Sequence, residues 1–233
     1  MDHKTVSSLS FAAFLLLVVS ISPMPAVAGP PLICHRFDIA GGKSLSWPSN
    51  SWNLSSGESY NGKNLTEDTI AILDSDPVVL VHMETLRRAT LYARKDPVAA
   101  KELLARLLTR ANAAGEMTPR GALASFDVGY LIECYRAWIG NNEHNPAQDA
   151  DGSALVNRAI QLRGNDPEME FAAALIAFTF NGPRDMQHEH ARLAIQGSGY
   201  DPLLDRNLSG KWNSSGIETT AEMILGDPKI AQH

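Results

Sequence analysis

The residues best suited to chemistry fall in two short stretches, His35-Arg36-Phe37-Asp38 and His82-Met83-Glu84 with Arg87 and Arg88 beside it. Histidine and carboxylate together carry most proton transfer near neutral pH. His35, Asp38, His82 and Glu84 are therefore candidate catalytic groups if the first stretch packs over the second. The same residues suit a structural role equally well. Glu84 and Arg88 are an i, i+4 pair on one helix face, and a semi-buried polar network of this kind can pin one segment to another.

Other combinations point to chemistry more weakly. Gly42-Lys43-Ser44 resembles the end of a phosphate-binding loop, but Phe37 stands where that loop needs glycine. His188-Glu189-His190 lies in helical surroundings, and helix residues two apart point about 200° from each other, so they cannot share one ion. No metal and no cofactor are expected. Cys34-His35 lacks the first cysteine of a haem-attachment motif, because position 31 is Pro31. Cys34 and Cys134 are the only cysteines, and in an oxidising compartment they are expected to form a disulfide.

Compartment is suggested by residues 1–28. Lys4, the apolar run from Phe11 to Ile21 and the small-residue triplet Ala26-Val27-Ala28 have the layout of a cleaved signal peptide, so the chain is expected to be secreted or periplasmic. No later stretch is long and apolar enough to span a membrane once the signal is removed. The net charge of −6, with scattered lysines and arginines, gives no electrostatic reason to seek nucleic acid. Asn53, Asn64, Asn207 and Asn213 begin N-x-[ST] sequons in segments that read as irregular, and are glycan candidates in a eukaryotic source.

Residues 29–65 are dense in Gly, Ser, Asn and Pro and read as an irregular N-terminal arm, with short strands at Leu32-Ile33 and from Phe37 to Ile39. Trp47 and Trp52 are apolar anchors expected to hold the arm across the rest of the chain. Residues 66–233 read as a single helical domain, with Thr66 capping the first helix. Pro77 to Ala114 contains two helices broken at Asp96-Pro97. Downstream of the break, Ala100, Leu103, Leu104, Leu107, Leu108 and Ala111 follow the helical period. Upstream, Val79, Met83, Leu86 and Ala93 give a looser face. Residues 122–139 are apolar nearly all round and should be central. Residues 153–163, a helix opened by Asp166-Pro167, its partner over 184–196 and a last helix over 217–225 complete the pattern. Ala172, Ala173 and Ala177 should let a neighbouring helix approach closely.

Asp166-Pro167 and Asp201-Pro202 are 35 residues apart. Residues 166–202 resemble a tetratricopeptide repeat unit, with Ala177 at the small position and Phe180 at the aromatic position of the first helix. Ala191 and Ala194 are the small residues of the second, and Pro202 is the closing proline; the Trp-x-x-Leu-Gly signature is absent. The segments ICHRFDIAGGKSLSW and METLRRATLYARKDP are also similar to exported bacterial proteins of unknown function. The resemblance implies an all-α fold of helix–turn–helix pairs in an α–α superhelix, and a scaffold for protein contacts. The first functional reading is an exported module binding a protein or peptide partner, with Arg87, Arg88, Tyr130 and Trp138 as contact residues, rather than an enzyme. The alternatives are a hydrolase with its acid–base cluster where the arm meets the helices, and a structural component of a cell-surface assembly.

Overall fold

The computed structural model describes residues 32, 33, 35–47, 60–115, 117–210 and 219–225. The expected signal peptide, Trp52, Asn53 and Asn213 lie outside them. The fold is all-α. A 3-10 turn at Gly62–Asn64 leads into α1 (Leu65–Ser75), α2 (Val79–Ala93), α3 (Pro97–Ala114), α4 (Pro119–Trp138) and α5 (Gly152–Arg163). Then follow α6 (Pro167–Thr179), α7 (Arg184–Ser198), α8 (Pro202–Ser209) and α9 (Thr220–Leu225).

Local chemistry explains most of the boundaries. At α3, α6 and α8 an aspartate is the N-cap and a proline follows it. The carboxylates of Asp96, Asp166 and Asp201 each accept from the two backbone N–H groups they face, while proline has no N–H to leave unsatisfied. Thr118 caps α4 and Asp151 caps α5 in the same manner. Helix α5 ends on Gly164 at φ 76°, a left-handed conformation that suits glycine. The first helix differs from expectation. Asn61 caps the preceding 3-10 turn, the helix is already under way at Leu65, and Thr66 is a buried interior residue.

The helices pack as neighbours in sequence. A Cβ at Gly197, near the end of α7, would stand 2.2 Å from Pro167 at the start of α6, so these two run antiparallel in close contact. Helices α4 and α5 meet glycine to glycine. A Cβ on Gly129 would fall 2.7 Å from the Gly152 carbonyl oxygen, and one on Gly152 would fall 2.4 Å from that of Gly129. No helix among the described residues is long and apolar enough to cross a membrane.

Helix α2 departs most from its sequence pattern. The loose apolar face suggests a half-exposed helix, yet all 15 of its residues are buried, including His82, Glu84, Arg87 and Arg88. It has no capping side chain of its own. Instead Glu168 of α6 accepts the Leu80 N–H at 3.1 Å and so caps α2 from another helix. The arm covers α2 with Leu32, Ile33, Phe37, Ile39 and Leu45, all buried.

The strands expected at Leu32-Ile33 and from Phe37 to Ile39 do not form. Arm groups that a neighbouring strand would have paired are taken by side chains of the helices. Arg87 binds the carbonyls of Leu32 and Ile33, Glu84 binds the Phe37 N–H, and Asn207 binds both the N–H and the carbonyl of Asp38. Helix α8 was not anticipated either. Asn207, read as an exposed sequon in irregular chain, is a buried residue of α8 with its amide fully engaged, which leaves no room for a glycan. Asn64, by contrast, is exposed.

The periodicity of α3 separates a core face from a surface face. Leu107→Asp, at a fully buried position, should destabilise the chain by more than about 4 kcal/mol, because an unpaired charge enters the core. Arg106→Ala removes only an exposed pair with Glu67 and should cost less than about 1 kcal/mol. Chemical denaturation of the two variants checks the assignment, and similar midpoints would overturn it.

Candidate functional site

The arm and α2 meet at a buried charge cluster. Arg87 has no solvent exposure and gathers carbonyls: Nε donates to Leu32 O at 2.8 Å, and Nη2 donates to Ile33 O at 2.9 Å and to His35 O. Its Nη1 donates to Glu84 at 3.0 Å, and the guanidinium lies 3.9 Å over the Phe37 ring. Glu84 also accepts from Phe37 N at 3.2 Å and from Arg88 Nε at 2.9 Å. Arg88 continues to Leu45 O, Thr85 to Ser44 and Tyr92 to Ser46 O. This network holds the arm by its backbone, and every charge in it has a partner.

The four acid–base candidates do not converge. His82 faces away from the arm, with Nδ1 2.6 Å from Asp127 and Nε2 2.6 Å from Asp76 O. Two acceptors at its two nitrogens call for a doubly protonated ring. Burial opposes that charge, but Asp127 and the Asp76 carbonyl outweigh it and hold the pKa above its ordinary value. Arg110 completes the cluster by donating to Asp127 at 2.7 Å. Asp38 pairs with Arg206 at 2.7 Å, and the Ala40 N–H and Arg206 hold its carboxyl below the usual range. Of the four candidates only Asp38 lines the cavity of about 840 Å³ between the arm and α1, where Lys43 also sits. His35 stacks edge-on against Phe37 at 4.9 Å.

The residues expected to touch a partner are also displaced from the surface. Arg87, Arg88 and Tyr130 are buried, with Tyr130 stacked on Phe126 at 5.6 Å, and so present no face to a docking protein. Trp138 is half-buried beneath Arg94. Cys134 is a free thiol in the core whose pKa burial pushes far up, so the expected bridge is not seen there; Cys34 lies outside the described residues. On α7 His188 is exposed while His190 turns inward. No cluster of three metal-ligating side chains occurs among the described residues.

The surface feature that sequence reasoning missed runs along the outside of α3. A groove of about 1070 Å³ lies between α3 and the loop of residues 143–150. A cleft of about 410 Å³ opens between α3, α4 and α5. Leu108 lines both. The floor is apolar where water would be expected: Val98 is 75% and Leu108 44% exposed. The far wall is held in shape by Asn145, which is buried, accepts from the Ala147 N–H and donates to Gly140 O, both at 2.9 Å. From Val98 to Asn112 the helix runs about 21 Å, the length of six or so extended residues. Leu108 could have been flagged, since it lies on the edge of the apolar stripe. Nothing local in the sequence indicated the opposing loop.

No family model matches the chain, and no curated protein or solved structure is similar to it beyond chance.

If the charge cluster pins the arm, Arg87→Met should cost about 3–5 kcal/mol, because Glu84 and three arm carbonyls lose their partner. Protease should then cleave within the arm before the helices, and simultaneous digestion of both would count against the pin. Stability should also fall as pH rises. Burial lifts the Glu168 carboxyl from 4.5 to about 7, and His82 is raised from 6.5. Both groups bind more protons folded than unfolded, so their contribution is complete below those ordinary values and is lost as pH rises through the folded ones. Denaturation midpoints across that range should decline, with Glu168→Gln flattening the slope below neutrality; a midpoint that rises with pH would reject the assignment.

Proposed function

We propose that this chain is an interaction module, working outside the cytoplasm, that binds an extended apolar peptide segment of a partner protein along α3. The observation that carries the reading is the continuity of the two depressions through Leu108, with exposed Val98 at one end and a far wall held in shape by Asn145. Peptide grooves between helices combine a preformed shape with apolar anchor sites, and this one has both. The antiparallel α6–α7 pair and the repeated Asp-Pro helix starts support an architecture of stacked helix hairpins resembling tetratricopeptide repeats. The layout of residues 1–28 supports export.

A hydrolase centred on His35, Asp38, His82 and Glu84 is less well supported, because Glu84 and His82 are fully engaged in buried pairs. The polar side chains that line the groove, among them Lys101, Glu143, His144, Gln148 and Asp149, suit orientation of a peptide.

Selection from a random peptide library on the purified chain tests the reading. Selected peptides should share two or more spaced apolar residues. Their affinity should fall at least about tenfold on Leu108→Glu, the loss of one apolar anchor, with the melting temperature of the variant kept. Selected peptides that bind Leu108→Glu and wild type equally would place the interaction elsewhere.

A further inference from the structure

A further, smaller cavity of about 220 Å³ lies between α4, α5 and the α6–α7 pair. Its apolar lining comes from Val156, Ala173, Ile176, Ala177, Phe180 and Met186. Four polar side chains, His190, Arg136, Ser153 and Asn157, break this lining. His190 enters from α7 with Nδ1 2.6 Å from Glu170, a carboxylate that is itself almost wholly buried. Arg136 enters from α4 with its guanidinium 4.1 Å over the Phe180 ring. Ser153 is turned away, its hydroxyl and N–H both donating to Glu133.

His190, Arg136 and Ser153 are each oriented by a second group. Glu170 fixes the ring plane of His190 by accepting a hydrogen bond from its Nδ1–H, which leaves Nε2 without a partner among the described residues. Phe180 holds Arg136 flat, and Glu133 approaches it only at 3.5 Å, so most of the guanidinium edge is unused. Burial pushes the Glu133 carboxyl up, which weakens its claim on Arg136 further. The result is an apolar chamber with a planar cation at its wall and an imidazole nitrogen facing in. At about 30 Å³ per water-sized group, it has room for on the order of seven to ten non-hydrogen atoms.

We propose that this cavity binds a small monocarboxylic acid with a short hydrocarbon tail. The carboxylate lies against Arg136 and accepts from His190 Nε2–H, the ring carrying both protons because it then stands between two carboxylates, and the tail packs on Ile176, Ala173 and Val156. A planar guanidinium matches a carboxylate with two parallel hydrogen bonds, which a neutral amide cannot reproduce. The site is independent of the α3 groove, and neither reading needs the other.

Calorimetric titration of the full mature chain with butyrate, hexanoate and hexanamide tests it. Hexanoate should bind saturably and more tightly than butyrate, with hexanamide at least about tenfold weaker, the scale of one charge-assisted contact. Arg136→Met should weaken hexanoate by a similar factor and leave hexanamide unchanged. Ala177→Phe, which fills the chamber, should abolish binding, while Leu108→Glu should not affect it. If Ala177→Phe fails to fold, Arg136→Met decides, since that side chain is half exposed and its loss leaves the core intact. Absence of saturable binding at millimolar hexanoate overturns the proposal, as does equal binding by wild type and Arg136→Met.

Discussion

A guanidinium sealed inside a protein sets the terms for the rest of this fold. Arg87 has no water to solvate it, so its donors must be met by protein oxygen. Glu84 supplies one carboxylate, but a carboxylate shared with Arg88 does not exhaust five N–H groups. Three others go to carbonyls of the arm, which are available only because that segment forms no strand with a neighbour. The irregularity of the arm and the burial of α2 are therefore one fact. A regular arm would spend its carbonyls on its own ladder, and Arg87 would be left with a desolvated charge.

The same requirement explains how a helix so rich in charge becomes the centre of the molecule. The polar groups of α2 are answered from three directions. Asp127 on α4 meets His82, Glu168 on α6 meets the first turn, and the arm meets Glu84, Arg87 and Arg88. Partners in three directions fix the position of α2 more narrowly than apolar contact would, since hydrophobic packing tolerates small slides while hydrogen bonds to charge do not. Conformational specificity of this kind is the best-attested use of buried ion pairs, whose net stabilisation is small once desolvation is counted.

The sequence made the helix boundaries legible and the position of α2 illegible, for physical reasons that differ. Asp96-Pro97 and Asp166-Pro167 act within four residues, so their meaning is local and survives without a fold. The apolar spacing of Leu103, Leu104 and Leu107 is likewise a property of one helix. Arg87 and Glu84 carry the opposite kind of information. Read alone they suit a solvated face or a semi-buried network that pins the arm, and only partners 47 to 55 positions away decide between the two. Helix α8 was hidden because eight residues are too few for a period to declare itself, and because its Asn207 reads as a surface sequon until Asp38 is found against it. The alanines of α6 have a second consequence that their small size alone did not indicate. They let α7 approach closely, and Ala173 and Ala177 also line the chamber beside it.

This distribution of polar groups separates structure from function along the molecule. At the arm, charge is fully committed: His82 has both nitrogens bonded and Glu84 serves two arginines, so a substrate would have to displace contacts that hold the chain together. Away from α2 the balance reverses. Among the described residues, the outer face of α3 leaves Val98 and Leu108 uncovered, and the α6–α7 chamber leaves one nitrogen of His190 and much of the Arg136 edge without a protein partner. Binding energy comes from groups that the fold has oriented without satisfying. The rigid, saturated end thus acts as the frame, and the two places where side chains are held in position but still lack partners are where a ligand has something to gain.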